Sequence, residues 1–244
     1  MVNREAAREW TRRLHARLLP RARDGYSAYM GFLDRYCLPG STVVDLGCGE
    51  EAYLGFLLER AGEVVGVDAR RLEGPYGRYL EADFDRELPL GEESVDLAAC
   101  KFLLEHLREP GRFLSGLYRA LKPGGHLVIM TSNILYYPYA ANFALSRVLP
   151  QSARMRLVSL FSGRREGEIF PVYYRCNTPR SLRRKLREAG FQVTHLETYG
   201  DYLVSAFCRP LGALAVLYEA AVSRLGLKGA GGFMVAVGEK AGHG

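Results

Sequence analysis

A glycine-rich turn between two apolar runs constrains the fold of this chain more than any other feature. The run Val43-Val44-Asp45-Leu46-Gly47-Cys48-Gly49 is followed by a second apolar run that ends at Asp68. This order predicts a strand, a glycine loop, a helix, a second strand and a terminal acid, the pattern of a nucleotide-binding βαβ unit. Glycines let a ligand approach bare backbone, and the later carboxylate can bind a ribose. The chain is therefore predicted to bind an adenosine-containing cofactor.

The acid in front of the glycine loop bears on which cofactor this is. The spacing Gly47-x-Gly49-x-x-Ala52 also satisfies the dinucleotide pattern, so the glycines alone leave NAD and S-adenosylmethionine open. Asp45, two residues before Gly47, would repel a pyrophosphate and favour a cationic ligand. S-adenosylmethionine carries a sulfonium and an ammonium group and no phosphate, so Asp45 favours it.

Further segments resemble, in the same order, the motifs of the class I S-adenosylmethionine-dependent methyltransferases. They are Asp68, Glu81-Ala82-Asp83-Phe84, the runs 94–100 and 102–107, and the run 121–130. The resemblance covers residues 40–132 and implies a set of cofactor-binding residues: Asp45, Leu46, Gly47, Cys48, Gly49, Asp68, Ala69, Asp83, Phe84 and Cys100. In the family, the carboxylate at the position of Asp83 accepts a hydrogen bond from the adenine amino group. The residue that follows it packs on the adenine ring. Phe84 is equally consistent with a place in the core.

The chain departs from the family pattern at two positions. Glu51 stands where a third glycine is common, so the turn into the following helix is expected to differ. Some quinone-biosynthesis members have a Glu-x-x-Glu-His metal cluster, whereas this chain has Phe102 before Glu105 and His106. No metal is therefore implied. His106 is a candidate base that would deprotonate a substrate hydroxyl, and its alternative role is to start a helix or anchor a lid.

The alternation of apolar runs with helical stretches predicts an α/β fold. Strands are expected at 42–46, 64–68, 78–81, 95–100, 126–131, 191–197 and 232–237. They would form a doubly wound, mostly parallel seven-stranded sheet of the Rossmann-like methyltransferase type, with helices on both faces and the last two strands antiparallel at one edge. The carboxyl ends of the parallel strands, and hence the ligands, would lie along one edge.

The chain of 244 residues is predicted to be a single methyltransferase domain, 1–244. Residues 1–38 would form a helical cap, 40–132 the cofactor-binding half, 133–177 an inserted substrate lid, and 178–244 the part that completes the sheet. The lid is rich in aromatic and basic residues, and its candidate acceptor-binding residues are Tyr136, Tyr137, Tyr173 and Arg175. Packing within the lid itself is the alternative role for these side chains.

Charge and cysteine content restrict the partners and the compartment. Residues 1–23 hold seven arginines against two glutamates, and residues 147–187 hold eleven basic residues against two glutamates. Such segments attract an anionic substrate, an anionic lipid surface or RNA, unless they are only solvated helix faces. The five cysteines, at 37, 48, 100, 176 and 208, contain no Cys-x-x-Cys pair, which favours a reducing cytoplasm and argues against structural zinc.

Membrane insertion is not expected, because the charged N-terminal stretch has no secretory apolar core and the apolar stretch 203–222 is interrupted by charges. A cytoplasmic protein is therefore predicted, with peripheral contact to an anionic membrane as a further hypothesis. The function predicted from these features is S-adenosylmethionine-dependent methyl transfer to a small or lipid-linked organic acceptor. Three alternatives remain: an RNA methyltransferase, a non-catalytic S-adenosylmethionine-binding regulatory protein, and an NAD-dependent oxidoreductase.

Overall fold

The computed structural model describes residues 4–150 and 170–242, and its centre is a seven-stranded sheet in the order β3-β2-β1-β4-β5-β7-β6. The strands are β1 (Thr42–Leu46), β2 (Glu63–Asp68), β3 (Arg78–Glu81), β4 (Val95–Lys101), β5 (Leu121–Ser132), β6 (Gln192–Tyr199) and β7 (Phe233–Glu239). β1 to β5 pair in parallel, and β7 is antiparallel to both β5 and β6. The predicted fold class, including the antiparallel final pair, is confirmed.

Among the described residues there are six α-helices. They are α1 (Arg4–Leu18), α2 (Gly25–Tyr36), α3 (Pro110–Ala120), α4 (Tyr137–Val148), α5 (Pro179–Glu188) and α6 (Arg209–Arg224). Thr178 is the N-cap of α5: its side chain accepts a hydrogen bond from the Ser181 amide, while the Ser181 hydroxyl accepts from the Thr178 amide. This capping box and Pro179 fix the start of the helix that leads into β6.

Side chains that alternate along the strands divide the core into two layers. Val43 and Leu97 point to the face covered by α2, whereas Val44 and Ala98 point to the face covered by α3 and α5. Burial of both faces explains the continuous apolar runs in the central strands. The parallel strands β1, β2 and β4 end together at one edge of the sheet.

The helix predicted after the glycine loop is present, but it is a short 3-10 helix rather than a regular α-helix. The structure has a five-residue 3-10 helix at Tyr53–Leu57. Ala52 adopts a left-handed conformation with φ of 40°, which delays regular helix formation. The amide of Leu54, in the first turn of this helix, donates to the Tyr76 hydroxyl, 3.0 Å away. Amides in the first turn have no acceptor within the helix, so this tertiary contact caps the start of the 3-10 helix.

Candidate cofactor site at the sheet edge

The carboxyl ends of β1, β2 and β4 bring the predicted cofactor residues to one edge of the sheet. Leu46, the last residue of β1, is paired with Val67 on one side and with Cys100 on the other. The glycine loop therefore leaves the sheet between Asp68, at the end of β2, and Lys101, at the end of β4. This is the edge where parallel α/β sheets bind their ligands.

The glycine loop is held in a conformation that exposes its backbone. Gly47 and Gly49 have φ values of +72° and +57°, which lie in the left-handed region that favours glycine. The amides of Gly47 and Cys48 both donate to the Val67 carbonyl, at 2.8 and 3.2 Å. A Cβ atom added to Gly49 would meet no other atom within 4 Å. The loop therefore borders open space, as a surface for ligand contact requires.

Asp68 lies directly against this loop. Its Oδ2 accepts a hydrogen bond from the Gly49 amide at 3.0 Å, and its Oδ1 accepts from the Arg70 amide at 3.2 Å. Ala69 follows as an exposed residue of the same turn. A carboxylate has about four lone-pair positions, so both oxygens of Asp68 keep capacity to accept from ribose hydroxyls. The structure thus brings together the loop and the acid that the sequence pairs.

Asp45 occupies a different position, beneath the loop. It is completely buried, and its two oxygens accept hydrogen bonds from the hydroxyls of Tyr53 and Tyr76, each at 2.9 Å. Since Tyr53 donates to Asp45, the Tyr29 hydroxyl donates in turn to Tyr53 at 2.8 Å. Burial raises the pKa of Asp45 to about 6, although the tyrosine hydrogen bonds and Lys101 act in the opposite direction. Asp45 therefore supports the loop from inside the protein.

Leu46 and Cys48, close to Asp45 in the chain, are also buried. Burial raises the pKa of the Cys48 thiol to about 12, with the nearby carboxylates of Asp45 and Asp68 adding to the effect. The thiol therefore stays protonated at neutral pH and is unsuited to nucleophilic or redox chemistry. All five cysteines are free thiols. No group of three His, Cys, Asp or Glu side chains in the described parts of the chain has the arrangement of a metal site.

In the segment after β3, the side chains of the adjacent residues Asp83 and Phe84 point to different environments. The Asp83 side chain is largely exposed, and its Oδ1 accepts from the Asp85 amide at 3.1 Å. The Phe84 ring is buried and packs edge-on against Phe113 of α3, with 5.9 Å between ring centroids. Cys100 is fully buried on the same side of the sheet. Cofactor contacts by these three residues remain predictions.

His106 ends a short 3-10 turn after β4 and contacts the chain that returns from the predicted lid. Its Nδ1 lies 2.7 Å from the Pro171 carbonyl oxygen, and its ring meets Phe170 edge-on. The Tyr173 amide donates to the Glu105 carbonyl at 2.7 Å. The Tyr173 hydroxyl accepts from Arg108 at 2.9 Å, whereas Arg175 is exposed. His106 and Tyr173 therefore belong to one junction between the β4 loop and the lid.

A buried polar network holds that junction in place. Glu105 is only 5% exposed, and its two carboxylate oxygens accept from the hydroxyls of Thr131 and Ser132 at 2.8 and 3.3 Å. The Asn177 amide donates to Thr131 Oγ1 at 2.8 Å. The network joins the β4 loop, the end of β5 and the end of the predicted lid. Nothing in the sequence pattern pointed to Thr131, Ser132 or Asn177.

Tyr136 and Tyr137 contact another part of the fold, the segment after β6. The hydroxyl of the buried Tyr136 donates to the Asp201 carbonyl at 3.1 Å, and the hydroxyl of the exposed Tyr137 donates to Ser205 at 2.8 Å. Tyr139 donates to Asp201 Oδ2 at 2.6 Å. Burial raises the pKa of Asp201 to about 7. The predicted lid continues through residues 151–169, which lie outside the described residues.

Part of the chain is similar in sequence to known methyltransferases. Residues 44–129 match a methyltransferase domain family. A ubiquinone biosynthesis O-methyltransferase from Hahella chejuensis is 33% identical over 117 residues, which cover 43% of this chain and 49% of that protein. The chain spans between about a third and a half of the length of the first curated relatives it matches.

Two solved structures show how far the fold extends beyond the matched domain. An S-adenosylmethionine-dependent methyltransferase from Mesorhizobium loti superposes with a TM-score of 0.54 at 22% identity, covering 88% of this chain and 96% of that chain. The [4+2]-cyclase SpnF superposes with a TM-score of 0.53 at 17% identity, covering 91% and 84%. The shared fold therefore includes proteins named for different reactions, and the site has to carry the argument on function.

The sheet order and the glycine loop beside Asp68 define a class I methyltransferase fold. Residues 44–129 belong to the matched methyltransferase domain family, and the surrounding sheet has the fold of the class I S-adenosylmethionine-dependent methyltransferases. The predicted family, with S-adenosylmethionine as its cofactor, is confirmed. No helix in residues 4–150 or 170–242 has both the length and the apolar character needed to cross a bilayer.

Proposed function

We propose that this protein transfers a methyl group from S-adenosylmethionine to a small or lipid-linked organic acceptor. The observation that carries the proposal is the contact between the Gly49 amide and Asp68 Oδ2, at 3.0 Å. It sets a carboxylate that can bind ribose hydroxyls beside an open glycine backbone that a ligand can approach. Gly47, Gly49 and Asp68 are the residues that would hold the adenosyl group.

The protein's own part in such a reaction is chiefly positioning. The bound cofactor supplies an electrophilic methyl group on a sulfonium, so aligning the acceptor provides much of the rate enhancement, up to about 7–11 kcal/mol in favourable cases. An acceptor hydroxyl also needs a base. Because the Pro171 carbonyl can only accept, His106 Nδ1 carries the proton, which leaves the lone pair of Nε2 available in the neutral ring. His106 is therefore the proposed base.

A small organic acceptor is compatible with the lid and is favoured over RNA by the name of a relative. Tyr137 and Arg175 present aromatic and cationic groups at the surface of the predicted lid, and Tyr173 lies beside His106 at its end. The Hahella chejuensis relative is named for ubiquinone biosynthesis, in which the methyl acceptor is a small molecule.

Calorimetric titration with S-adenosylhomocysteine and with NAD tests the cofactor. We expect the first to bind, NAD not to bind, and Asp68→Ala to weaken S-adenosylhomocysteine binding at least about tenfold, equivalent to about 1.4 kcal/mol. Asp34→Ala is the control, since Asp34 pairs with Arg60 on the surface of α2. Binding of NAD alone, or an Asp68→Ala variant with unchanged affinity, would refute the proposal.

The acceptor class is tested with a labelled methyl group. The protein is incubated with methyl-labelled S-adenosylmethionine and either a small-molecule and lipid extract or total RNA. Label in the organic extract supports the proposal, whereas label in RNA supports the RNA methyltransferase. Tight cofactor binding with no labelled product in either pool supports the non-catalytic alternative.

A lipid-linked acceptor is supported by an exposed apolar face on α6. Leu211, Leu214 and Leu217 are 44%, 62% and 55% exposed. Helix α1 packs on α6 where Thr11 meets Gly212, and α1 carries exposed arginines at positions 8, 12, 13 and 17. Leucines beside arginines match the interior and headgroups of an anionic membrane surface. We therefore include peripheral contact with anionic lipid in the proposal.

Flotation with liposomes tests this contact. We expect binding to vesicles that contain anionic lipid, weaker binding to neutral vesicles, and loss of binding in the triple variant Leu211→Ser, Leu214→Ser, Leu217→Ser. Leu38→Ser is the matched control, because Leu38 is exposed to 65% before β1 and outside this face. Absence of binding to anionic vesicles at low salt would refute the proposed membrane contact but would not bear on the proposed methyl transfer.

A further inference from the structure

Lys101 lies at the end of β4, on the side of the glycine loop opposite Asp68. It is the last residue of β4, and its predecessor Cys100 is paired with Leu46, the last residue of β1. Gly47 and Lys101 therefore leave neighbouring strands side by side. On the other side of the glycine loop stands Asp68, so that Asp68 and Lys101 flank the loop from two strands, roughly 10 Å apart by the usual strand spacing.

The ammonium of Lys101 has aromatic neighbours but no acceptor. Its Nζ lies 3.8 Å from the ring centroid of Tyr53 and 5.4 Å from that of Tyr26. Within residues 4–150 and 170–242 it makes no hydrogen bond and no ion pair with a carboxylate. Cation–π contacts attract the charge, but the three N–H donors of an ammonium still require lone pairs. By contrast, Lys122 and Lys185 are paired with carboxylates at 2.8 and 3.0 Å.

The ammonium of Lys101 is therefore available to bind an anionic ligand. Lys101 is half-buried, and burial lowers the pKa of its ammonium, while Glu51 and Asp45 act in the opposite direction. Asp45 is already engaged by two tyrosine hydroxyls. The next residue, Phe102, has a left-handed φ of 52°, a conformation that is uncommon for an aromatic residue and that often marks ligand sites.

We propose that the ammonium of Lys101 binds the carboxylate, or a comparable anionic group, of a small molecule held beside the glycine loop. The inference rests on the proposed function, because that reaction offers two sources of such a group. One is the amino-acid carboxylate of the cofactor, and the other is an acidic group on the acceptor.

The first arm of the test compares S-adenosylhomocysteine with 5′-methylthioadenosine, which has the same adenosine part and no carboxylate. Calorimetric affinities are measured for the wild type, Lys101→Met, Lys101→Arg and the control Lys185→Met. If the cofactor supplies the anion, Lys101→Met weakens S-adenosylhomocysteine binding by about tenfold or more and leaves methylthioadenosine unchanged. Lys101→Arg retains part of the affinity, and Lys185→Met retains all of it.

The second arm addresses the acceptor. Protein saturated with S-adenosylhomocysteine is titrated with benzoate and with neutral benzamide, and the thermal midpoint is recorded. If the acceptor supplies the anion, benzoate raises the midpoint of the wild type but not of Lys101→Met, and benzamide raises neither. The inference is overturned if Lys101→Met changes neither the S-adenosylhomocysteine affinity nor the benzoate response. Failure of the wild type to bind either adenosine compound refutes the proposed function instead.

Discussion

The hydroxyl of Tyr76 donates a hydrogen bond to Asp45 Oδ2 across 2.9 Å, and so joins the loop between β2 and β3 to the interior of β1. The same hydroxyl accepts from the Leu54 amide at 3.0 Å. One tyrosine thus links three segments around the base of the glycine loop. The buried carboxylate at the centre of this arrangement makes the stability of the cofactor site depend on pH.

Replacing Asp45 by asparagine should change that pH dependence. The pKa of Asp45 is raised from 3.8 to about 6, so the native state binds its proton more tightly than the unfolded state does. Wild-type stability therefore falls as the pH rises from about 4 to about 6 and stays lower above that range. Asparagine does not titrate. We expect the free energy of unfolding of Asp45→Asn, relative to wild type, to increase by up to roughly 3 kcal/mol between pH 4 and pH 7. Urea denaturation across this range measures it, and a constant difference would contradict the role of Asp45.

Removing the Tyr139 hydroxyl should expose the cost of burying Asp201. Tyr139 donates to Asp201 Oδ2, and this bond opposes the rise in the pKa of Asp201 to about 7 that burial causes. Tyr139→Phe should therefore destabilise the protein by about 1–3 kcal/mol at pH 8, where Asp201 is ionised, and by less at pH 6, where it is largely protonated. Thermal unfolding at the two pH values is the measurement.

The matched control for that variant is Tyr137→Phe. The Tyr137 hydroxyl donates to the neutral Ser205 hydroxyl and lies on a side chain that is 41% exposed. Its removal should cost less than about 1 kcal/mol and show no pH dependence. Equal losses for Tyr139→Phe at pH 6 and pH 8 would argue against an ionised Asp201 as the cause.

Adding a methyl group to Gly49 should reduce ligand affinity without a steric clash in the protein itself. Gly49 and Gly124 have φ values of +57° and +77°, and a Cβ atom on either would meet nothing within 4 Å. Gly49→Ala and Gly124→Ala should therefore lose similar stability, about 1–2 kcal/mol from backbone strain. Only Gly49→Ala should weaken S-adenosylhomocysteine binding, because only its methyl group enters the proposed cofactor space. Calorimetry that finds equal affinity in the two variants would place the ligand elsewhere.

Two substitutions separate anchoring from catalysis at His106. Asparagine can still donate to the Pro171 carbonyl, whereas phenylalanine cannot, so hydrogen exchange of residues 170–176 should rise in His106→Phe and stay low in His106→Asn. Both variants lack the Nε2 lone pair. Both should therefore lose transfer to a hydroxyl acceptor by about 10²–10⁴-fold, measured as release of S-adenosylhomocysteine. Full turnover in His106→Asn would leave His106 an anchoring role alone.

Local sequence determined most elements of this fold and the position of its glycine loop. The strands predicted at 42–46 and 78–81 coincide with β1 and β3, and for β1 an apolar run between Pro39-Gly40 and Gly47 leaves little choice of backbone. The glycine pair and Asp68 were predicted from spacing, and the right-handed crossover between parallel neighbours then requires them to meet. Thr178 and Pro179 defined the start of α5 in the same local way.

Only the tertiary structure decided how the polar groups around that loop are satisfied. The 3-10 helix after Ala52 is capped at its start by Tyr76, a residue from another segment, whose hydroxyl accepts from the Leu54 amide. Asp45 is buried rather than open because two tyrosines from other segments reach it. The surroundings of the Lys101 ammonium likewise come from other segments, because its cation–π contacts are with the rings of Tyr26 and Tyr53. Periodicity and spacing describe a residue's own strand or loop, whereas hydrogen-bond partners and burial arise from side chains that only folding brings together.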